Sequence, residues 1–406
     1  MLTTRLSDMN RIWRIASEEE ILSGRTTDIY FKRAVDVLKA EGIDPIVHAE
    51  VTVSGMPEGM DWAILAGVND ALKLFEDKKV DVFGLREGTV FRPRDPLGVK
   101  TPVLAVEGPY TEFATLETPL LGFLCHTSGM VTKTACVRLA AGDKTLLSFG
   151  VRRTHPAIAP QVGYAAYIGG CDGISSILAA EMLGMEPSGT MPHALIIVAG
   201  DHVRAWQAYD KHVPKDVPRI ALTDTYLDEV VESVLAAQNI DNLQGVRLDT
   251  TSSRRGDFVK IVQEVRWELD LQGYHDVRIY ASGGLNPESI RELRRAGVDG
   301  FGVGGAISNS PAIDFAMDIV SMQVDKTWTS SAKRGKFSGR KTVWRCTDCN
   351  EIRVTPIGRK SPKCSCGSKM EKATIQLIEK GTQVHQPLAP KGIRDKVLEQ
   401  IARIEN

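Results

Sequence analysis

The apolar positions along the chain change period twice. Over residues 47–53 apolar and polar residues alternate, the period of a strand, whereas between Asp61 and Phe75 the residues Ile64, Leu65, Val68, Leu72 and Phe75 fall on one predicted helical face. Pro93, Pro96, Gly98, Pro102 and Gly108 then punctuate a stretch that reads as hairpin-rich. From Glu112 to near Gly142 the spacing of Leu116, Leu120, Leu121 and Leu124 predicts one long helix. Beyond it the runs 145–149, 220–222, 246–248, 277–280 and 301–303 are β-rich, and each precedes a helix-like segment. That alternation is the signature of a parallel β/α arrangement, and this many units predict a closed or nearly closed barrel.

The expected fold is therefore α/β, with three parts. An N-terminal α/β (α+β) domain covers 1–115, open to completion by part of 325–345. An irregular (β/α) barrel covers 116–325. A small zinc-knuckle-like domain lies in the C-terminal extension 326–406, where the polar, basic stretch from Asp325 to Arg345 leads into Cys346. Composition narrows the class further. A chain of 406 residues that is 43% hydrophobic and 25% charged, with a net charge of −1, reads as a soluble multidomain protein. Met1 to Ile21 carries Arg, Asp and Glu and no apolar stretch of the signal-peptide kind, and no later run reaches membrane-spanning length. A cytoplasmic location, with no membrane partner, is expected.

In a parallel barrel the C-terminal ends of the strands carry the chemistry. Here they read Phe149-Gly150-Val151-Arg152-Arg153, Thr223-Asp224-Thr225, Asp249-Thr250-Thr251, Ser282-Gly283-Gly284 and Gly304-Gly305, so arginines, carboxylates and glycine pairs converge on one rim. Ser282-Gly283-Gly284 runs into Asn286 and Pro287, an N-cap and first residue of a helix, and such a turn lets backbone N–H groups approach a phosphate. Gly304-Gly305 supplies a second turn of the kind. Two in succession point to a phosphate cup and an anionic ligand. Alternation puts Arg247 and Asp249 on one side of their strand, either as a structural ion pair or as ligands for a carboxylate and for ribose hydroxyls or magnesium. Asp224 stands at a comparable strand end. Taken alone, His193 in Gly189-Thr190-Met191-Pro192-His193 and Tyr30 in Thr27-Asp28-Ile29-Tyr30 read as ordinary structural residues.

Cysteines divide into dispersed Cys125, Cys136 and Cys171 and a late cluster. The cluster, Cys346-x-x-Cys349 followed by Cys364-x-Cys366, offers four thiolates in two close pairs, the donor set of a structural zinc site. A nucleic-acid binder built on the basic stretch from Lys333 to Arg345 would leave the glycine pairs unexplained, so no nucleic-acid partner is expected.

Taken in order, the motifs around Tyr30, Glu117-Thr118-Pro119-Leu120-Leu121, Phe149 to Arg153, Gly189 to His193, Asp224-Thr225-Tyr226, Arg247-Leu248-Asp249 and the two glycine turns resemble the nicotinate phosphoribosyltransferase family, within the type II phosphoribosyltransferases. The resemblance covers roughly residues 10–320 and implies an enzyme that makes nicotinate mononucleotide from nicotinate and phosphoribosyl pyrophosphate. It further implies that Tyr30, reaching from a neighbouring subunit, and Phe149 sandwich the pyridine ring, with Thr190 and Arg247 at the nicotinate. Asp224 and Asp249 would hold the ribose and the magnesium pyrophosphate, Arg152 and Arg153 the phosphates, and Ser282, Gly283, Gly284, Gly304 and Gly305 the 5′-phosphate. His193 matches the histidine that relatives phosphorylate with ATP. Ala194 departs from the Glu or Ser that follows it there, which weakens the implied ATP coupling. A homodimer with shared active sites, or a hexamer of such dimers, is the implied assembly. Quinolinate and nicotinamide remain rival substrates.

Overall fold

The computed structural model describes residues 11–404. The chain forms two compact units, one gathering the residues up to Gly129 together with Pro311–Ile404, the other Met130–Ser310.

In the first unit the alternating stretch becomes the strand Ile46–Gly55, which pairs antiparallel with Leu104–Pro109 on one side and Asp314–Val324 on the other. They lie in a seven-stranded sheet ordered 327–330, 314–324, 46–55, 104–109, 81–84, 375–379, 382–383. Val47, Ala49, Val51 and Val53 enter an apolar core with Leu72, Phe75, Phe113 and Leu120. The alternate residues His48, Glu50 and Thr52 are buried as well. Their charges are matched: Glu50 accepts from Lys341 at 2.8 Å, and His48 meets Glu107 at 2.8 Å. The single helix expected between Asp61 and Phe75 is a strand, Ala63–Leu65, followed by a short helix, Val68–Leu72. Gly67 separates them at φ +84°, a left-handed turn that glycine adopts without strain. All five apolar residues are still buried: Leu65, Val68, Leu72 and Phe75 enter one core, and the period of the strand turns Ile64 to its other face.

The long helix runs Glu117–Ala141. Near the other end of the chain Lys341–Cys346, Ile352–Pro356 and Met370–Lys372 form a separate three-stranded sheet around the cysteine cluster.

The second unit is built on six parallel strands: β1 Thr145–Ser148, β2 Gly173–Ile174, β3 Ile220–Leu222, β4 Gly245–Leu248, β5 Arg278–Ser282 and β6 Gly300–Val303. Their order is β2-β1-β6-β5-β4-β3, with helices such as Phe258–Leu271 and Pro287–Arg295 packed between. Val246, Leu248, Ile279, Ala281 and Phe301 fill the layer between sheet and helices, each large side chain worth about 1.5–3 kcal/mol. The expected closure is incomplete: no ladder joins β2 to β3 among the described residues, so the sheet is a half-barrel. The segment leading to His193 runs along that opening. Ser188 donates its N–H to Ile174 O at 2.8 Å, and Met191 O accepts from Arg247 Nη2 at 2.9 Å, so an irregular strap replaces a strand there.

Candidate active site

Because Val246 and Leu248 point into the apolar layer, the period of β4 turns Arg247 to the opposite face. Its side chain is only 9% exposed, and a buried cation persists where its N–H groups are spent. Nε donates to Thr190 Oγ1 at 2.8 Å, Nη1 to Ser282 Oγ at 2.8 Å and Nη2 to Met191 O at 2.9 Å. Asp249 Oδ2 lies 3.2 Å from Nη1, and Ser282 Oγ donates to Asp249 Oδ1 at 2.8 Å. Arginine, serine and aspartate therefore form one network across β4 and β5.

His193 is the first residue of the helix His193–Ala199, set by Pro192 in extended conformation before it. Its Nδ1 meets Thr225 Oγ1 at 3.1 Å, while Nε2 stands 3.7 Å from Asp224 Oδ1 and 3.8 Å from Asp249 Oδ2. Asp249 chiefly, and Asp224, raise the imidazole's pKa against the lowering effect of burial. For Asp249 burial pushes the other way, but His193, Arg247 and Ser282 outweigh it and hold the carboxyl at about 2. Asp224 is raised by its burial, only partly relieved by the Asp249 N–H that it accepts at 2.6 Å and by Thr250 Oγ1 at 3.0 Å. Its Oδ1 is buried without a hydrogen-bond partner and faces His193.

The glycine turns frame the same space. Gly283 and Gly284 take φ +88° and +67°, which only glycine does freely, and Asn286 caps the helix that follows by accepting from Ser289 N–H at 2.9 Å. Gly304 and Gly305 open the short helix Gly305–Ser308. Arg255 Nη1 donates to Gly283 O at 2.8 Å. A cleft of about 610 Å³ is lined by Phe149, Arg152, Arg153, Ser175, Gly189, Thr190, Met191, Pro192, His193, Ala194, Arg247, Asp249, Ser282, Gly283, Gly284, Gly302, Gly304 and Gly305. Arg152 and Arg153 sit in a 3₁₀ turn just past β1. Asp224 lies behind this surface, 2% exposed. Tyr30 belongs to the first unit, where it is exposed on the helix Ile29–Ala40 beside Asp28.

Two contributors carry little sequence signal. Met191 acts through a carbonyl, which any residue could supply. Gly302 lies under the Phe149 ring, so that a Cβ there would fall 2.3 Å from Phe149 Cε2; its signal is the glycine before the pair in Gly302-Val303-Gly304-Gly305.

Away from the cleft, Cys346, Cys349, Cys364 and Cys366 bring their Sγ atoms within 4.8 Å of one another, the first and third buried. Four sulfurs so close make a set that could hold a metal ion. No described helix is long and apolar enough to cross a membrane.

The family model for the C-terminal domain of quinolinate phosphoribosyl transferase matches residues 130–318, and that for its N-terminal domain residues 28–128. Among solved structures, a nicotinate-nucleotide pyrophosphorylase from Pyrococcus furiosus is 45% identical with a TM-score of 0.92, covering 98% of this chain and 99% of that one. The human nicotinic acid phosphoribosyltransferase shares the fold at 19% identity and a TM-score of 0.73, covering 93% of this chain and 94% of that one. The nicotinate phosphoribosyltransferase pncB2 of Mycobacterium tuberculosis is 28% identical over 359 residues, 79% of this chain and 74% of that one. The half-barrel is thus the fold of a phosphoribosyltransferase. The chain belongs to the quinolinate phosphoribosyl transferase family of enzymes, and its curated relatives there carry the name nicotinate phosphoribosyltransferase.

Proposed function

We propose that this enzyme joins nicotinate to the ribose of 5-phosphoribosyl-1-pyrophosphate, releasing pyrophosphate and forming nicotinate mononucleotide for NAD synthesis. The observation that carries the reading is that Arg247 and Phe149 line one cleft together with the glycine turns, Arg152 and Arg153. The Arg247 guanidinium carbon stands 6.0 Å from the Phe149 ring centroid, so a planar acid can lie on the ring with its carboxylate toward the cation.

Transfer begins with loss of pyrophosphate from C1 of the ribose, leaving an oxocarbenium-like centre that calls for charge stabilisation and a positioned nucleophile. The pyridine nitrogen is that nucleophile and carries no proton to remove. Phe149, with Tyr30 supplied by a second subunit, holds the ring in plane, and Arg247 and Thr190 orient its carboxylate. The 5′-phosphate takes the backbone N–H groups around Ser282, Gly283, Gly284, Gly304 and Gly305, while Arg152 and Arg153 neutralise the leaving pyrophosphate. Asp249, which lines the cleft, and Asp224 behind it are the carboxylates that would hold magnesium with the pyrophosphate. Bound there, magnesium supplies neutralising charge to the pyrophosphate. His193, with Nε2 turned toward both aspartates, is read as the acceptor of a phosphoryl group from ATP, which couples ATP hydrolysis to the transfer. The four cysteines are read as a structural zinc site.

Product formation from phosphoribosyl pyrophosphate with nicotinate, quinolinate or nicotinamide, each with and without ATP, tests the reading. Nicotinate alone is expected to give its mononucleotide, faster with ATP. Turnover of quinolinate with release of carbon dioxide, and none of nicotinate, would replace this proposal with the other substrate of the family.

A further inference from the structure

Behind the cleft, a fully buried acid organises the loop on which His193 rests. Glu232 projects from the helix Glu229–Asn239 with its side chain 0% exposed. Its Oε2 accepts the N–H of Thr225 at 3.0 Å, and its Oε1 accepts those of Tyr226 and Leu227, each at 2.7 Å. A carboxylate is rarely buried unless its lone pairs are used, and here three successive backbone donors use them. Neighbouring contacts fix the same loop. Ser233 Oγ donates to Thr223 Oγ1 at 3.1 Å, and Trp206 Nε1 to Leu222 O at 3.1 Å. His202 stacks on Trp206 with centroids 5.0 Å apart and places Nδ1 3.9 Å from Glu232.

The consequence lies at Thr225. With its backbone nitrogen held by Glu232, its hydroxyl is set 3.1 Å from His193 Nδ1. The two ring nitrogens of a histidine are distinct, and the hydrogen bond of one decides which way the other points. From this geometry we infer that Glu232 and Thr225 are positioning residues: the buried carboxylate fixes the loop, the loop fixes the threonine hydroxyl, and the hydroxyl holds His193 with Nε2 aimed between Asp224 and Asp249. Neither residue lines the cleft. The inference rests on the proposed role of His193 only for its effect on turnover, and its structural part stands apart from that role.

The full-length enzyme labelled with ¹⁵N-histidine gives the direct readout, its His193 resonances assigned by loss in His193→Ala. At fixed pH, Thr225→Val, which keeps the branched shape and removes the hydroxyl, is expected to move the His193 Nδ1 resonance, and Thr225→Ser to restore it. Glu232→Gln, which keeps the size and weakens the acceptor, is expected to move it in the same direction. In transfer assays Thr225→Val is expected to lower kcat by ~10-fold with KM for nicotinate little changed, the pattern of a misplaced group rather than a lost contact. A folded Thr225→Val enzyme with His193 resonances identical to wild type would overturn the inference. If Glu232→Gln fails to fold, the Thr225 pair still decides. Full activity of His193→Ala would remove the proposed role of the histidine but leave the resonance test of its positioning intact.

Discussion

Gly302 offers a sharp test of the aromatic platform, because it can be changed without touching a polar group. It lies within β6, and its backbone is outside the left-handed region, so alanine meets no conformational obstacle there. The obstacle is contact: the added Cβ would stand 2.3 Å from Phe149 Cε2, 2.5 Å from Cδ2 and 3.1 Å from Ser282 Cβ. Carbon atoms pack at about 3.5–4.0 Å, so the ring must move by more than ~1 Å. The Phe149 backbone is pinned by its N–H to Val303 O at 2.8 Å, so the ring rather than the backbone must yield.

Gly302→Ala is therefore expected to carry an overpacking cost of about 1–3 kcal/mol. It should also lose the stacking contribution of a well-placed ring, about 0.5–1.5 kcal/mol. At 1.4 kcal/mol per decade the second effect is a roughly 2- to 12-fold rise in KM for nicotinate. The first lowers Tm by roughly 2–4 °C per kcal/mol. Initial rates against nicotinate at saturating phosphoribosyl pyrophosphate measure the rise in KM, and thermal unfolding the fall in Tm. Adding Phe149→Leu to the variant relieves the clash and should recover Tm while leaving KM high, which separates strain from stacking. An unchanged KM in Gly302→Ala together with a lowered Tm would refute the platform, since the ring would have moved without consequence for the substrate.

Other outcomes follow from the same geometry. His193→Ala is expected to keep measurable transfer at saturating substrates while losing both ATP stimulation and ATP hydrolysis; a wild-type enzyme that neither hydrolyses ATP nor carries a labile phosphoryl group would refute the coupling. Metal analysis should return zinc, and a chelator should open residues 346–375 to protease; resistance to protease after metal removal counts against a structural zinc. Mixing Tyr30→Ala with Asp249→Ala subunits should restore some activity by forming one intact site, and failure in proven mixed oligomers would remove the shared site. Asp249 is depressed to about 2 from its usual 3.8, so its contribution to stability is present above 3.8 and lost as pH falls toward 2. The Tm gap between wild type and Asp249→Asn should narrow over that window, and a constant gap would mean that the carboxylate is not held by His193 and Arg247.

Local pattern revealed the strands of the half-barrel well where a β-rich run ended in glycine or a polar residue. It missed β2, because Gly173 and Ile174 are too few to show a period. The alternation of residues 47–53 was equally visible, but the pairing of their strand with Asp314–Val324, some 260 residues on, has no local signature. Between Asp61 and Phe75 helical spacing misled, because a strand and a helix can present apolar residues to one core when a left-handed glycine joins them. At the cleft, arginine and aspartate near strand ends stood out on one rim, whereas His193, the first residue of a helix, read alone as an ordinary structural residue. Glu232 did not: an acid in the first turn of a helix is ordinarily a solvated residue favoured by the helix dipole, and nothing in its neighbours shows that three N–H groups converge on it.

The charge arrangement of the cleft bears on what kind of reaction it can serve. Asp249, held at about 2, is too weakly basic to take a proton at neutral pH, and it is already engaged by Ser282 and Arg247. Asp224 is shifted the other way, but it lies 2% exposed behind Asp249 and its free oxygen faces His193, not the open cleft. The same two carboxylates raise the pKa of His193, whose Nε2 faces both of them. Asp249 and His193 thus favour each other's charged form, while Asp224, shifted toward its neutral form, is buried behind the cleft. A site of this kind favours chemistry that begins with the departure of an anion and ends with attack by a nucleophile that has no proton to lose. A pyridine nitrogen meets that condition, and an alcohol or a protonated amine does not.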